Sequence, residues 1–229
     1  MSAVLHDVAD VAAGLALEAD AFAAVETQAL VWTTQTPALV CPASYRRKPG
    51  FAAAIAQSQA QGWPVYQRPT GGGAVPQGPG VSNLAIAFTA DRGFGIEDGY
   101  RLITDVICAA AARELTAGAT VGSFCDGAWN LSLHGQKIVG TAQRIRPLKN
   151  GLRRILAHAL ILTDSDVQPG AAAVNRFHKA LGLPPVLAVA HTTMRRAFGT
   201  DAANPETLAQ KLVARAADAL ATPHARHAA

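Results

Sequence analysis

The sequence RPTGGGAVPQGPG, residues Arg68 to Gly80, consists mostly of glycine and proline and contains three consecutive glycines. Glycine lets the backbone adopt positive φ angles and approach a ligand closely, and consecutive backbone N–H groups can form an anion-binding nest. No Lys-Ser or Lys-Thr follows the glycines, so this is not a Walker A loop, and the spacing is not G-x-G-x-x-G either. The stretch therefore predicts a ligand-facing loop of another kind.

Length and composition indicate one folded domain. The chain has 229 residues, of which 50% are hydrophobic and 16% are charged, a balance that allows a sizeable core and argues against disorder. The net charge of +4 and the pI of about 9.2 are too weakly basic for a nucleic-acid-binding protein without a concentrated patch. Basic residues gather at 46–48 and 144–154, which indicates either a solvated face or a docking site for an acidic partner. We expect a single domain over residues 1–229.

Cysteine usage and the chain start indicate a cytoplasmic location. Cys41, Cys108 and Cys125 are few, odd in number and unpatterned, which is typical of reduced thiols and not of a disulfide framework. The start, MSAVLHDVAD, carries acidic residues and has no basic region, so we expect no signal peptide. No uncharged apolar run is long enough to span a membrane.

Hydrophobic periodicity and turn residues predict the elements of the first half. We expect helices over 11–29, 50–62 and 98–118, and strands over 38–42, 64–69 and 82–90.

The pattern changes after residue 118. The runs TVGSFC, WNLSLHG, QKIVGTAQRIR and LRRILAHALILT predict successive strands, with turns at 134–136 and 148–151. From residue 170 the chain is predicted to be mostly helical, with Asn204 and Pro205 as the N-cap and first residue of the last helix. Leu208, Leu212 and Leu220 are expected on one face of that helix. Together, these predicted strands and helices indicate one α/β domain with a mixed or antiparallel sheet flanked by helices.

The hairpin HGQKIVGTAQ, residues 134–143, is the second unusual motif. Lys137 directly follows a tight turn, and Gly140 lies inside the next strand, where glycine often marks the close approach of a ligand. A lysine at this position can hold a carboxylate or a phosphate. An exposed lysine with a bulge glycine is the simpler interpretation of this motif taken alone.

The two motifs together change that interpretation. RPTGGGAV followed by GQKIVGTAQ resembles the lipoate-protein ligase and lipoyl/octanoyltransferase family, which is related to the biotin-protein ligases. LALEADAF (15–22), SNLAIAF (82–88) and RRILAHALIL (153–162) resemble the first helix, the strand after the glycine loop and the histidine-bearing strand of that family. The resemblance covers roughly residues 12–165.

The resemblance implies a biotin/lipoate protein ligase-like fold with one acyl pocket. In this family the glycine loop and the lysine hairpin form opposite walls of a pocket for an octanoyl or lipoyl group, an apolar slot with a few polar groups. We therefore expect residues 71–73 and 134–143 to face each other across a cleft. Lys137 is expected to be catalytic, and no metal ligand is expected. The residues that bind the acyl group or its adenylate are expected to be Arg68, Thr70, Gly71, Gly72, Gly73, Asn83, Gly140, Thr141, Ala142 and His158.

The family comprises two kinds of reaction. Ligases activate free lipoate with ATP and Mg²⁺ to a lipoyl-adenylate, whereas transferases take the acyl group from a carrier through a cysteine acyl-enzyme. Cys125 lies twelve residues before Lys137, which resembles the transferases that place their nucleophile just upstream of the lysine hairpin. A thiolate is a competent nucleophile, and a thioester divides acyl transfer into two easier steps. The alternative is that Cys125 packs as a small hydrophobic residue, as we expect for Cys41 and Cys108.

Several positions depart from the family pattern. The ligases usually have His-Asp after the glycine loop, where this chain has PQGPG, and Gln77 replaces a histidine of the commonest octanoyltransferases. Those enzymes place their cysteine later, and no cysteine follows Cys125. Ala159 replaces a usual glycine, which would narrow the pocket. His158 is equally well interpreted as a packed core residue. We expect no additional C-terminal domain of the kind that the larger ligases carry. Because some ligases supply that domain as a separate protein, this is only mild evidence for a transferase.

We therefore expect a transferase that moves an octanoyl or lipoyl group to a lysine of a lipoyl-acceptor domain, without a tightly bound cofactor. The expected acceptor is a 2-oxoacid dehydrogenase E2 domain or a glycine-cleavage H protein, and an acyl carrier protein is a possible donor. Nucleic acid and membrane are not expected partners. An ATP-dependent lipoate-protein ligase, or a non-catalytic protein that binds acyl-carrying domains, remain the alternatives.

Overall fold

The computed structural model describes residues 5–221, except for the side chain of Asn150. This part of the chain contains ten strands and six α-helices. The strands are β1 (Leu5–Asp7), β2 (Gln28–Thr33), β3 (Ala38–Pro42), β4 (Val65–Arg68), β5 (Val75–Gln77), β6 (Val81–Ala90), β7 (Thr116–Ala117), β8 (Leu131–Leu133), β9 (Gln136–Pro147) and β10 (Arg153–Leu162). The helices are α1 (Val11–Ala23), α2 (Phe51–Ala60), α3 (Ile96–Ala111), α4 (Val167–Ala180), α5 (Met194–Phe198) and α6 (Pro205–Ala221).

The strands form two sheets. The larger sheet has the order β1-β2-β6-β10-β9-β8-β7, and all its pairs are antiparallel except the parallel pair of β1 and β2. The smaller sheet has the order β4-β3-β5, with β4 parallel and β5 antiparallel to β3. This arrangement of a large mixed sheet flanked by helices confirms the predicted fold class.

Strand β6 shows how the core is divided, because it lies between β2 and β10 and is almost entirely buried. Side chains alternate between the two faces of a strand. Leu84, Ile86 and Phe88 pack in the cluster that also contains buried residues of α3 and α6. Ala85 and Ala87 point to the opposite face and pack with residues of α1, β2 and β3. Asn83 shares this second face, which also carries the candidate site.

A third cluster joins the smaller sheet to α2 and α4, through residues such as Leu39, Phe51, Val174 and Phe177. The last helix starts as predicted, since the Thr207 N–H donates to the Asn204 side chain at 2.8 Å and Pro205 is the first helical residue. Among the helices described within residues 5–221, none is both long and apolar enough to cross a membrane.

Some predicted elements differ from the structure. The helix predicted over 11–29 ends at Ala23, and β2 begins at Gln28 because its apolar residues pair with β6. The helix predicted over 98–118 ends at Ala111, where Ala112 adopts the left-handed φ of 51°. The strand predicted at TVGSFC, 120–125, is wrong, since these residues form turns.

Strands β1, β2, β5 and β7 were not predicted as strands. Strand β5 contains Pro76, which has no N–H to donate, and proline argues against a central strand. The structure places β5 at an edge of the smaller sheet, where this is tolerated. The hairpin turn at 134–136 is confirmed, with φ angles of 50° at His134 and 77° at Gly135. Two predictions extend beyond the described residues. The chain start that was used to predict the absence of a signal peptide includes residues 1–4, and the predicted single domain includes residues 222–229.

Candidate active site

Cys125 lies in the loop between β7 and β8 with an unusual backbone conformation. Its φ is 55°, in the left-handed region that residues other than glycine seldom adopt. The carbonyl of Cys125 accepts hydrogen bonds from the Gly127 N–H and from the Asn130 side-chain amide, both at 2.9 Å. Such conformations persist where the surroundings enforce them, and they cluster at functional sites. The turn that replaced the predicted strand therefore holds the thiol in a fixed position.

The glycine loop packs directly against this cysteine. A Cβ atom on Gly72 would lie 2.4 Å from the Cys125 Sγ, and one on Gly73 would lie 3.2 Å from the Cys125 Cα. Gly72 also has a φ of 100°, which L side chains rarely adopt. Glycine at these two positions thus makes room for the thiol. Gly71 differs, since a Cβ there would meet nothing within 4 Å.

Arg68 holds the glycine loop in its folded shape. The buried guanidinium donates to the Gly71 and Gly73 carbonyls at 2.8 Å each and to the Val40 carbonyl at 3.1 Å. A Cβ on Gly72 would lie 3.0 Å from one guanidinium nitrogen, so the positive charge and the Cys125 thiol lie on the same side of the loop. Arg68 therefore acts on the loop structure and places a positive charge beside the sulfur.

Lys137 approaches Cys125 from the hairpin. Its side chain is only 2% exposed, and Nζ donates to the Phe124 carbonyl and to the Cys125 carbonyl, the latter at 3.0 Å. Burial disfavours the ammonium form and lowers the pKa of Lys137 to about 8, an effect that the nearby Cys125 and Asp126 oppose. A Cβ on Gly140 would lie 3.0 Å from Nζ, so this glycine leaves space for the end of the lysine.

His158 belongs to a chain of buried polar groups that starts on α1. The His158 Nδ1 pairs with the Glu18 carboxylate at 2.9 Å, and its Nε2 lies 2.9 Å from the Thr70 hydroxyl. The other carboxylate oxygen of Glu18 accepts from the Trp32 indole at 3.0 Å. His158 is therefore both packed and hydrogen-bonded on its two ring nitrogens, next to the cavity. Glu18 was not predicted, although a glutamate within the apolar run LALEADAF is a signal for a buried partner.

A small cavity of about 50 Å³ joins these groups between α1, the larger sheet and the smaller sheet. An engineered apolar cavity of about 150 Å³ holds benzene, so an eight-carbon chain must extend beyond this cavity or displace its walls. Ala159 lines the cavity, and Asn83 is fixed there by a reciprocal amide pair with Gln77 at 2.8 and 3.0 Å. The predicted site residues that line the cavity are Arg68, Asn83, Cys125, Lys137, Gly140, Thr141, Ala142 and His158.

Four predicted binding residues have other positions. Thr70 contacts His158, while Gly71, Gly72 and Gly73 lie outside the cavity wall; Gly72 and Gly73 pack against Cys125. The loop and the hairpin thus meet at the same site, but with Cys125 between them instead of an open cleft.

His191, which was not predicted, links the cysteine loop to the lysine strand. Its Nε2 accepts the Phe124 N–H at 2.8 Å, so the proton is on Nδ1, which donates to the Leu187 carbonyl at 3.0 Å. The Thr192 N–H donates to the Lys137 carbonyl at 2.9 Å. Burial and the charge of Lys137 lower the pKa of His191 to about 4, so the ring is neutral at pH 7. These contacts fix the residues on either side of both reactive groups.

The other two cysteines pack in the core, as predicted. Cys41 is fully buried in the cluster of the smaller sheet, where burial raises the pKa of its thiol to about 11. Cys108 is partly buried against the larger cluster. Neither has the position of a nucleophile.

Comparison with known proteins shows the family of this chain. Residues 10–214 match the family described as the lipoyl protein ligase A/B catalytic domain. An uncharacterized protein of Cupriavidus necator is 36% identical over 159 residues, which cover 62% of this chain and 63% of that protein. The octanoyl-GcvH:protein N-octanoyltransferase of Kyrpidia tusciae is 32% identical over 145 residues, covering 59% of this chain and 50% of that protein. The alignments thus span half to under two thirds of these curated relatives.

A solved structure shows the same fold. The crystal structure of lipoate-protein ligase A bound with ATP superposes with a TM-score of 0.71 at 15% identity, covering 96% of this chain and 86% of that chain. The match over residues 10–214 includes the glycine loop, Cys125 and the Lys137 hairpin. The chain belongs to the lipoyl protein ligase A/B catalytic domain family.

Proposed function

We propose that this protein transfers an octanoyl or lipoyl group to a lysine of a lipoyl-acceptor domain through a thioester on Cys125. The observation that carries the proposal is the placement of Cys125, in a left-handed backbone conformation, between the glycine loop and the Lys137 ammonium. The Kyrpidia tusciae relative, an octanoyl-GcvH:protein N-octanoyltransferase, supports the same reaction class.

In the first half-reaction the Cys125 thiolate attacks the carbonyl carbon of the acyl donor. A C–S bond forms and the bond from the acyl carbon to the donor breaks. When the donor is an octanoyl-lysine amide, the departing amine must gain a proton, and Lys137 with a pKa of about 8 can donate it near neutral pH. Arg68, on the same side of the loop as the sulfur, favours the negative charge that the reaction develops.

The second half-reaction runs in the opposite direction with a new amine. The acceptor lysine attacks the thioester, a C–N bond forms, and the C–S bond breaks to release the Cys125 thiolate. Neutral Lys137 accepts the proton of the attacking amine; with an amide donor it lost its own proton in the first half-reaction, and with a thioester donor it loses that proton to water. Atoms and charges balance without ATP or Mg²⁺, because the acyl group arrives already bonded to a carrier.

His158 and Asn83 are proposed to line the acyl site. They share one sheet face, since Asn83 pairs with Leu160 and His158 pairs with Ala142 in the register of β6, β10 and β9. The Glu18 and Thr70 contacts hold the His158 ring in one orientation. This provides a fixed polar group on an otherwise apolar wall, as ligand sites commonly do.

Intact-mass spectrometry tests the proposal. The purified protein is incubated with octanoyl-coenzyme A without ATP, and then with the apo form of an E2 lipoyl domain. We expect one octanoyl group on the enzyme and its later appearance on the acceptor. A strict requirement for ATP and free lipoate would instead indicate the lipoyl-adenylate ligase. An acceptor mass that never changes under either condition would indicate a non-catalytic binding protein.

A further inference from the structure

A second cavity lies on the same face of the larger sheet as the cavity at Cys125, which we call the first cavity. The second cavity has a volume of about 230 Å³, against about 50 Å³ for the first. Prolines and large apolar side chains, among them Trp63, Phe124 and Leu162, form most of its wall. Its polar side chains come from Gln77 and from the two residues before α4. An engineered apolar cavity of about 150 Å³ holds benzene, so the second cavity can hold part of a hydrocarbon chain.

The register of the larger sheet places the two cavities next to each other. Gly140, Leu160 and Asn83 line the first cavity and form one row across β9, β10 and β6. Leu162 and Val81 line the second cavity and pair with each other two residues further along β10 and β6. Residues two apart on a strand share a face and lie about 7 Å apart. The second cavity therefore begins one row of side chains away from Gly140, which leaves space for the lysine ammonium.

Gln77 forms the partition between the two cavities. It lines both of them, and its buried side-chain amide pairs reciprocally with Asn83 at 2.8 and 3.0 Å. The cysteine loop also contributes to both walls, since Cys125 lines the first cavity and the preceding Phe124 lines the second. A group attached to the Cys125 sulfur is therefore close to the entrance of the second cavity.

The first cavity is too small for an eight-carbon chain attached to Cys125. Its other end carries His158, which lies two residues along β10 from Leu160 in the direction away from the second cavity. Glu18 binds His158 at 2.9 Å and Trp32 at 3.0 Å, so buried hydrogen bonds fix the wall at that end. In the opposite direction the space beyond Gln77 is open and mostly apolar. Burial of a hydrocarbon chain in such a space is favourable.

We propose that the second cavity receives the end of a straight acyl chain attached to Cys125, with the Gln77 side chain turned aside to let the chain pass. This inference rests on the proposed function, because it requires an acyl group at Cys125. The substrates are then saturated chains of eight or more carbons, whose ends reach past the first cavity. Trp63, the largest side chain in the wall of the second cavity, limits the length of the chain.

Calorimetry with octanoic acid and the full chain in the Cys125→Ala background tests chain binding without any chemistry. Val81→Phe fills the second cavity and is expected to weaken binding about tenfold or more, because each buried methylene contributes about fourfold to affinity and the end of the chain loses its space. The matched control is Val213→Phe, which adds the same bulk at a valine that is 1% exposed on the opposite face of the larger sheet. The control should bind octanoic acid as the parent does.

A second variant changes the cavity in the opposite direction. Trp63→Ala enlarges the second cavity and keeps the main-chain hydrogen bonds that residue 63 makes with Ser58. It is expected to bind dodecanoic acid about tenfold more tightly than the parent, since further methylenes become buried. Loss of folding cannot produce this gain, so the variant decides the matter if thermal unfolding shows that Val81→Phe is not folded.

The outcomes separate the chain-binding site from the chemistry. Equal affinity of folded Val81→Phe and Val213→Phe for octanoic acid, an unchanged affinity of Trp63→Ala for dodecanoic acid, or no binding by the parent overturns the proposal. Loading of Cys125 from octanoyl-coenzyme A, measured on the otherwise natural chain, tests the transferase separately. If loading fails while Val81→Phe still loses affinity for octanoic acid, the thioester mechanism is wrong and the second cavity remains the site of the chain end.

Discussion

The Lys137 ammonium donates a hydrogen bond to the carbonyl of Cys125 at 3.0 Å, so one main-chain group joins the proposed nucleophile to the proposed acid–base residue. The same carbonyl accepts from the Gly127 N–H and the Asn130 amide. The left-handed turn that presents the thiol therefore depends on the lysine, and the lysine position depends on the turn. Substitutions on either side are expected to affect both halves of the reaction.

The first prediction concerns Cys125. Cys125→Ala should form no octanoyl adduct with octanoyl-coenzyme A, and Cys125→Ser should be nearly inactive, because a serine hydroxyl is not ionised near neutral pH. Hydroxylamine, which cleaves thioesters, should remove the adduct from the natural protein. Cys41→Ala and Cys108→Ala serve as controls and should retain the adduct. Full activity of Cys125→Ala with ATP and free lipoate would instead support the ligase.

The second prediction concerns Lys137. Lys137→Ala should lower transfer about 10²–10³-fold, the usual cost of losing one pre-positioned electrostatic contact. Lys137→Arg should also be poor, because the guanidinium keeps the charge but does not fit the space beside Gly140 or release a proton near neutral pH. Thermal unfolding should show that both variants remain folded. Near-normal turnover of Lys137→Ala at saturating donor would contradict the assigned role.

The third prediction is a pH dependence of the second half-reaction, measured by mixing octanoyl-loaded enzyme with the acceptor domain. Burial lowers the pKa of Lys137 to about 8, so its neutral form, which accepts the proton, accumulates as the pH rises to that value. The Cys125 charge raises this pKa and is absent from the thioester, so the break in the loaded enzyme lies at or below about pH 8. The logarithm of the rate should rise more steeply below the break than above it, where only the acceptor amine still deprotonates. Lys137→Arg should lose the break in slope. A straight profile in the natural protein across pH 6.5–9.5 would exclude Lys137 as the base.

The fourth prediction concerns stability in acid. The folded-state pKa of His191 is about 4, below its usual 6.5, so the unfolded chain binds more protons between these values. The lowered pKa of His191 therefore contributes to the free energy of unfolding. This contribution is fully present above pH 6.5 and is lost as the pH falls towards 4, by about 3 kcal/mol in total at 1.36 kcal/mol per pKa unit. Urea unfolding at pH 7 and pH 4.5 should show a smaller decrease for His191→Gln, whose amide oxygen can still accept the Phe124 N–H. Parallel decreases in both proteins would show that other groups cause the acid lability.

Much of the candidate site could be predicted from motifs, because RPTGGGAV and GQKIVGTAQ are local in sequence and each forms one wall or support of it. Strands β3, β4 and β6 could also be predicted, since flanking turn residues or an alternating hydrophobic pattern mark them. The role of His191 could not be predicted, because its contact with Phe124 joins residues 67 positions apart and no nearby sequence pattern indicates it. The turn at 120–125 was misread as a strand, since the bonds of the Cys125 carbonyl and the packing of the glycine loop override local propensity.

The last prediction concerns the glycine loop and uses two neighbouring glycines with different surroundings. Gly72→Ala would place a Cβ 2.4 Å from the Cys125 Sγ at a φ of 100°, so the thiol or the loop must move. A displacement of about 1 Å at a reacting atom typically costs about 100-fold in rate, and we expect a loss of that size in the octanoyl loading of Cys125. Gly71→Ala adds the same methyl group where nothing lies within 4 Å, and it should load at nearly the natural rate. Stopped reactions analysed by intact mass give both rates. Equal rates for the two variants would mean that the glycine loop does not support the position of the thiol.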